Sequence, residues 1–126
     1  MSKELRMRVA DEVAKIVLLE EEAPETCKKA MAALPLKGNL IHAKIAGKEF
    51  FFKAPFFCDP ENQVQAQQAG NIGYYDGANS ICVFYEAEPG IGTVNLFARI
   101  TENLSGIQKE GEKGWKKQGA MIEIYE

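Results

Sequence analysis

The sequence predicts a mainly β domain, an antiparallel barrel of about eight short strands with one or two helices. Three observations predict it. Short segments of alternating apolar and polar residues recur along the chain, separated by turn residues. Only one stretch carries a clear helical stripe. Strands and helices do not alternate as a parallel α/β sheet requires. The 126 residues support a single domain over 1–126, long enough to bury a real core.

Leu5, Met7 and Val9 alternate with Arg6 and Arg8, as in a strand with one wet face. Asp11-Glu12 is expected to turn the chain into a second strand over 13–19, completing a hairpin. Pro24 suits the first position of a helix, where its missing N–H costs nothing. The acidic residues around it suit the positive end of the helix dipole. Cys27, Ala30, Met31 and Leu34 share one helical face, and Pro35 stops the helix.

A second hairpin is expected over 39–53, turning at Ala46-Gly47-Lys48. A tight turn there sets Phe50 and Phe52 on the face of Ile41, with Glu49 and Phe51 on the wetter face of His42. It also brings Lys44 near Glu49. Residues 55–70 form an irregular, glutamine-rich loop, long enough to suggest a functional segment. Strands follow over 72–75, 81–85 and 93–101, with turns at Asp76-Gly77 and Pro89-Gly90. A short helix is expected over 103–109, and the alternation over 120–125 reads as the closing strand.

Composition narrows the function. Fifteen Lys+Arg against 18 Asp+Glu give a net charge of -3, which argues against broad nucleic-acid binding. Lys109, Lys113, Lys116 and Lys117 read as a solvated face. No apolar run approaches the roughly 20 residues of a membrane helix. The opening Met1-Ser2-Lys3-Glu4-Leu5-Arg6 lacks the apolar stretch of a signal peptide. With Cys27, Cys58 and Cys82 odd in number and widely spaced, the expected location is the reducing cytoplasm. Neither a clustered metal motif nor a cofactor fingerprint occurs, so no metal and no cofactor are expected. Gly90-Ile91-Gly92 lacks the third glycine and the following helix of a dinucleotide site.

Four segments carry a resemblance. Glu22-Ala23-Pro24-Glu25-Thr26-Cys27 with Leu40-Ile41-His42-Ala43-Lys44 resembles the early helix and following strand of cyclophilins. Asn79-Ser80-Ile81-Cys82-Val83-Phe84 and the stretch from Val94 to Leu104 resemble later strands of that fold. Across most of its length the chain is more similar to a small bacterial and archaeal cyclophilin-like family of unknown function. The matching segments include Gly38-Asn39-Leu40-Ile41-His42-Ala43, Gly70-Asn71-Ile72-Gly73-Tyr74-Tyr75 and Gln118-Gly119-Ala120. The resemblance implies a closed eight-stranded barrel capped by helices. The arginine on which cyclophilins depend for prolyl isomerisation is replaced by Ala43. Lys44 beside it points to the other face and lacks the guanidinium fork. The only tryptophan, Trp115, lies outside the matching position.

The expected function is therefore small-molecule binding or turnover in a groove beside the 55–70 loop, with catalysis left open. Glu61 is the candidate general base and His42 the second candidate acid–base group. Asn62, Tyr74, Asn95 and Phe51 are the candidate ligand-binding residues. A purely structural alternative stands beside this: Glu61-Asn62 caps a loop and Asn95 ties down a turn. Two other functions also stand: a weak prolyl isomerase or peptide-binding module, and a non-enzymatic interaction subunit. A homodimer through the aromatic-rich second hairpin is the candidate assembly.

Overall fold

The computed structural model describes residues 3–90 and 92–126; Ile91, within the Gly90-Ile91-Gly92 motif, lies outside the described residues. The first hairpin joins β1 (Glu4–Val9) to β2 (Glu12–Leu18). Its turn is at Ala10 and Asp11, one residue earlier than expected, with Ala10 at φ 53°. Helix α1 (Pro24–Ala32) follows, with Pro24 in its first turn and Thr26, Cys27 and Ala30 buried. The chain then forms β3 (Leu36–Asn39), β4 (Ile41–His42), β5 (Glu49–Lys53) and β6 (Gln63–Val64). Strands β7 (Asn71–Tyr75), β8 (Ser80–Phe84) and β9 (Val94–Glu102), helix α2 (Leu104–Lys116) and β10 (Met121–Tyr125) complete it.

All described pairings are antiparallel, in the order β3-β10-β1-β2-β9-β7-β8-β5-β4, with β6 on β9. The two ends of that order are consecutive in the chain. β3 pairs with β10, and after Leu40 the same extended run pairs as β4 with β5. Leu40 marks the change of partner, its N–H donating to the Ala120 carbonyl and its own carbonyl accepting from Gly119. The sheet thus curls into a nearly closed barrel, which leaves few free edges. The expected eight strands are the members of this ring, with β3 and β4 as two halves of one strand and β6 outside it.

One apolar cluster fills the barrel. Met7, Ile16, Phe50, Phe52, Ile72, Ile81, Val83 and Ile124 are almost fully buried within it. Cys27 and Ala30 of α1 and Ile107 of α2 join this cluster. Helix α2 is much longer than expected, because Gly106, Gly111 and Gly114 depress its propensity. Those positions serve close packing instead. A Cβ on Gly111 would lie 2.5 Å from the Tyr85 ring, and one on Gly114 2.5 Å from Leu40. Of the four C-terminal lysines, Lys109 pairs with Glu12 and Lys113 with Glu110.

The second hairpin departs from expectation by one residue of register. The connection runs through Ala43–Lys48 instead of a three-residue turn, so Ile41 opposes Phe51 and His42 opposes Phe50. In a strand a one-residue slip exchanges the faces. His42 is consequently 5% exposed, where a wet face was expected, and Ile41 is 44% exposed. Glu49 and Phe51 lie on the face turned away from the core, and Glu49 has no ion pair with Lys44. Phe50 and Phe52 point into the barrel, so the aromatic residues of this hairpin do not form one outward face.

Candidate functional site

The sequence-predicted residues fall into separate places. Glu61, Asn62 and Asn95 come together at the start of α1. The residue flanking that helix is Ala23, which has no side chain to cap it. Glu61 does so from the loop, accepting from Glu25 N at 3.3 Å, Thr26 N at 2.5 Å and Thr26 Oγ1 at 2.7 Å. A carboxylate there satisfies orphan N–H groups and complements the helix dipole. Asn95 is fully buried. Its Oδ1 accepts from Glu61 N at 3.0 Å and from Gln63 Nε2, and its Nδ2 donates to Thr26 Oγ1 and to the Asp59 carbonyl. Asn62 Nδ2 donates to the Leu96 carbonyl at 2.7 Å. The hydrogen-bonding capacity of this cluster is thus largely taken up within the chain.

Tyr74 lies in the core. Its hydroxyl accepts from Cys58 N at 3.2 Å and donates to Asn79 Oδ1. His42 sits under α2, with Nε2 at 2.5 Å from the Tyr85 hydroxyl and its ring 4.6 Å from that of Trp115. Burial, and then the nearby positive charge of Lys44, hold its pKa below the ordinary value. Phe51, by contrast, lines a cavity on the outer face of the sheet.

That cavity, of about 170 Å³, lies on the face of β5 and β8 turned away from the core. Strand pairing sets Phe51 opposite Cys82 and Glu49 opposite Phe84. Phe51, Cys82, Phe84 and Val94 form a second apolar cluster there. The segment after β8 folds over one side, bringing Glu88 to the cavity. Gln67 fixes its backbone, with each residue's N–H donating to the other's carbonyl. Gly47, at φ 122°, leaves room for its carboxylate, since a Cβ there would lie 2.9 Å from Glu88 Oε2.

Glu49 is 7% exposed and Glu88 8%. Both oxygens of Glu88 are buried and neither makes a well-formed hydrogen bond among the described residues, with the Lys48 N–H as a backbone donor close by. The remaining partner is Glu49, which can donate only as the protonated acid. Burial first, then the negative charge of Glu88, raises the Glu49 carboxyl to about 8. Burial also raises Glu88. Near neutral pH Glu49 therefore keeps its proton and is placed to donate it to Glu88. Burial and Glu49 push the Cys82 thiol well above its ordinary range, so it is a thiol and not a thiolate. No group of three or more His, Cys, Asp or Glu among the described residues is arranged to hold a metal ion.

Glu49, Glu88 and Cys82 are the residues the sequence reading missed. One signal was available. Ile81-Cys82-Val83-Phe84-Tyr85 is an uninterrupted apolar run, the mark of a strand covered on both faces. Nothing local in the sequence singles out Glu88.

Residues 5–125 match the family described as "Protein of unknown function (DUF3830)". The chain belongs to this family. No curated protein matches it. Similar solved structures include the following two. One is titled "Structure of McbB in complex with tryptophan"; its TM-score is 0.85 at 13% identity, over 96% of this chain. The chain spans only 44% of the length of that McbB chain, and the likeness concerns the fold. The other is the solution structure of the hypothetical protein AF2241 from Archaeoglobus fulgidus, with a TM-score of 0.71 and 26% identity. There the match covers 98% of this chain and 94% of the other. No helix among the described residues is long and apolar enough to cross a membrane.

Proposed function

We propose that this protein binds a small molecule in the cavity between β5, β8 and the segment carrying Glu88. Phe51 forms one apolar wall, and the Glu49–Glu88 pair is the polar anchor. The observation that carries the reading is the Glu88 carboxyl, buried beside an apolar cavity with neither oxygen in a well-formed hydrogen bond among the described residues. Two carboxyl groups in such a place cost stability unless something repays them. Apolar side chains of similar size would serve folding better. A few polar groups converging on a preformed apolar pocket are the usual form of a small-molecule site. The volume is similar to that of a cavity of about 150 Å³ known to hold benzene.

The kinship to cyclophilins belongs to the same proposal. Ala43, at the position of the cyclophilin arginine, lines this cavity, and no guanidinium joins it there. Polarisation of a prolyl amide is accordingly not the chemistry proposed. Three free, buried thiols support a reducing location such as the cytoplasm.

A thermal-shift screen of ring-sized compounds tests the reading. At least one compound is expected to raise the Tm, because a ligand that prefers the folded state stabilises it. Phe51→Trp, which fills the cavity, is expected to abolish that rise. A panel without a stabiliser, or a stabiliser whose effect survives Phe51→Trp, would contradict the proposal.

A further inference from the structure

We infer that the cavity selects a monocationic amine with a flat, ring-sized apolar group, the ammonium seated on Glu49 and Glu88 and the ring against Phe51, Phe84 and Val94. This rests on the small-molecule reading above and adds the chemical class of the ligand. The described lining contains two carboxyl groups and no Lys, Arg or His. An anionic ligand would meet two carboxyl groups and no cation to offset its charge. A neutral apolar ligand would add no donor to the Glu88 oxygens, which then depend on the Glu49 proton and the Lys48 N–H. An ammonium brings three N–H donors and the complementary charge. Phe51, Phe84 and Tyr75 add aromatic surface, which favours a cation at its face.

The site also predicts a proton linkage. From the second hairpin Glu49 meets Glu88 on the opposing segment and the Cys82 thiol on β8, while Tyr75 borders the cavity from the end of β7. The free pair keeps its proton up to about pH 8. A bound ammonium supplies the donors and positive charge that this proton otherwise provides, so binding favours its release. Amine affinity should therefore rise with pH through this range while the amine itself remains protonated.

Benzylamine, benzyl alcohol and benzoate share a ring and differ in charge. Titration of the wild-type protein, followed by NMR of the cavity amides, is expected to rank benzylamine roughly tenfold or more above benzyl alcohol. Benzoate should not bind, and benzylamine should bind more tightly at pH 8 than at pH 6. Glu88→Gln and Glu49→Gln should each shrink the ratio of benzylamine to benzyl alcohol affinity. Benzyl alcohol binding as tightly as benzylamine, or benzylamine weakening as pH rises, would overturn the ligand class and leave the cavity reading standing. If none of the three rings shifts a cavity resonance, the cavity reading fails, and this inference with it.

Discussion

Replacing Glu49 with glutamine is expected to leave stability nearly unchanged at about pH 5 and to raise it at about pH 9. The folded chain lifts this carboxyl from its ordinary 4.5 to about 8. Between those values the folded state holds a proton that the unfolded chain has released. Stability therefore falls as pH rises through the window, by up to roughly 1.4 kcal/mol per pH unit, and levels off beyond the folded value. Glutamine can donate to Glu88 as the protonated acid does, but it has no proton to lose. His42 contributes with the opposite sign. Its depressed pKa adds stability that is complete above its ordinary 6.5 and is lost as pH falls through the folded value. It is present in both proteins, so the difference between them isolates Glu49. Denaturant unfolding of wild type and Glu49→Gln across this range should give curves that diverge from pH 5 upward. Parallel curves would mean that the pair does not share a proton.

The second large effect concerns Glu61. Glu61→Ala removes the acceptor of two helix N-terminal N–H groups and of the Thr26 hydroxyl. A lost cap together with lost bonds to a charged group is expected to cost about 2–3 kcal/mol. At this chain length that lowers the Tm by roughly 6–12 °C. Binding of benzylamine, measured below the new Tm, should persist, because Glu61 does not line the cavity. An unchanged Tm with lost ligand binding would instead assign Glu61 the direct role its sequence context suggests.

Much of the fold was legible because it is written in local periods. The alternation in β1, β2 and β10 and the stripe of Cys27, Ala30 and Met31 mark their elements directly, while Leu34, expected on that stripe, lies past the helix end at Ala32. Two features were obscured by competing rules. Glycines hid the length of α2, since their value is close packing against Tyr85 and Leu40 and not helix propensity. The length of the Ala43–Lys48 connection exchanged the faces of β4 and left Phe50 and Phe52 of β5 pointing inward. Glu49, read as a surface residue beside Lys44, is a buried carboxyl because the segment carrying Glu88 covers the outer face of β5 beside Phe51 and Cys82. Glu88 was hidden for a different reason, since it reaches Glu49 only through the β5–β8 register and the bridge to Gln67. Long-range pairing of that kind leaves no mark on neighbouring residues.

The central claim is that Glu49 and Glu88 share one proton beside an apolar cavity that receives a cation. Carboxyl ¹³C NMR of the two glutamates, titrated with and without saturating benzylamine, tests it most directly. The predicted result is a Glu49 midpoint near 8 in the free protein, moving down when benzylamine is bound. If both carboxyls titrate near the ordinary 4.5 in the free protein and neither midpoint responds to the amine, the claim is contradicted.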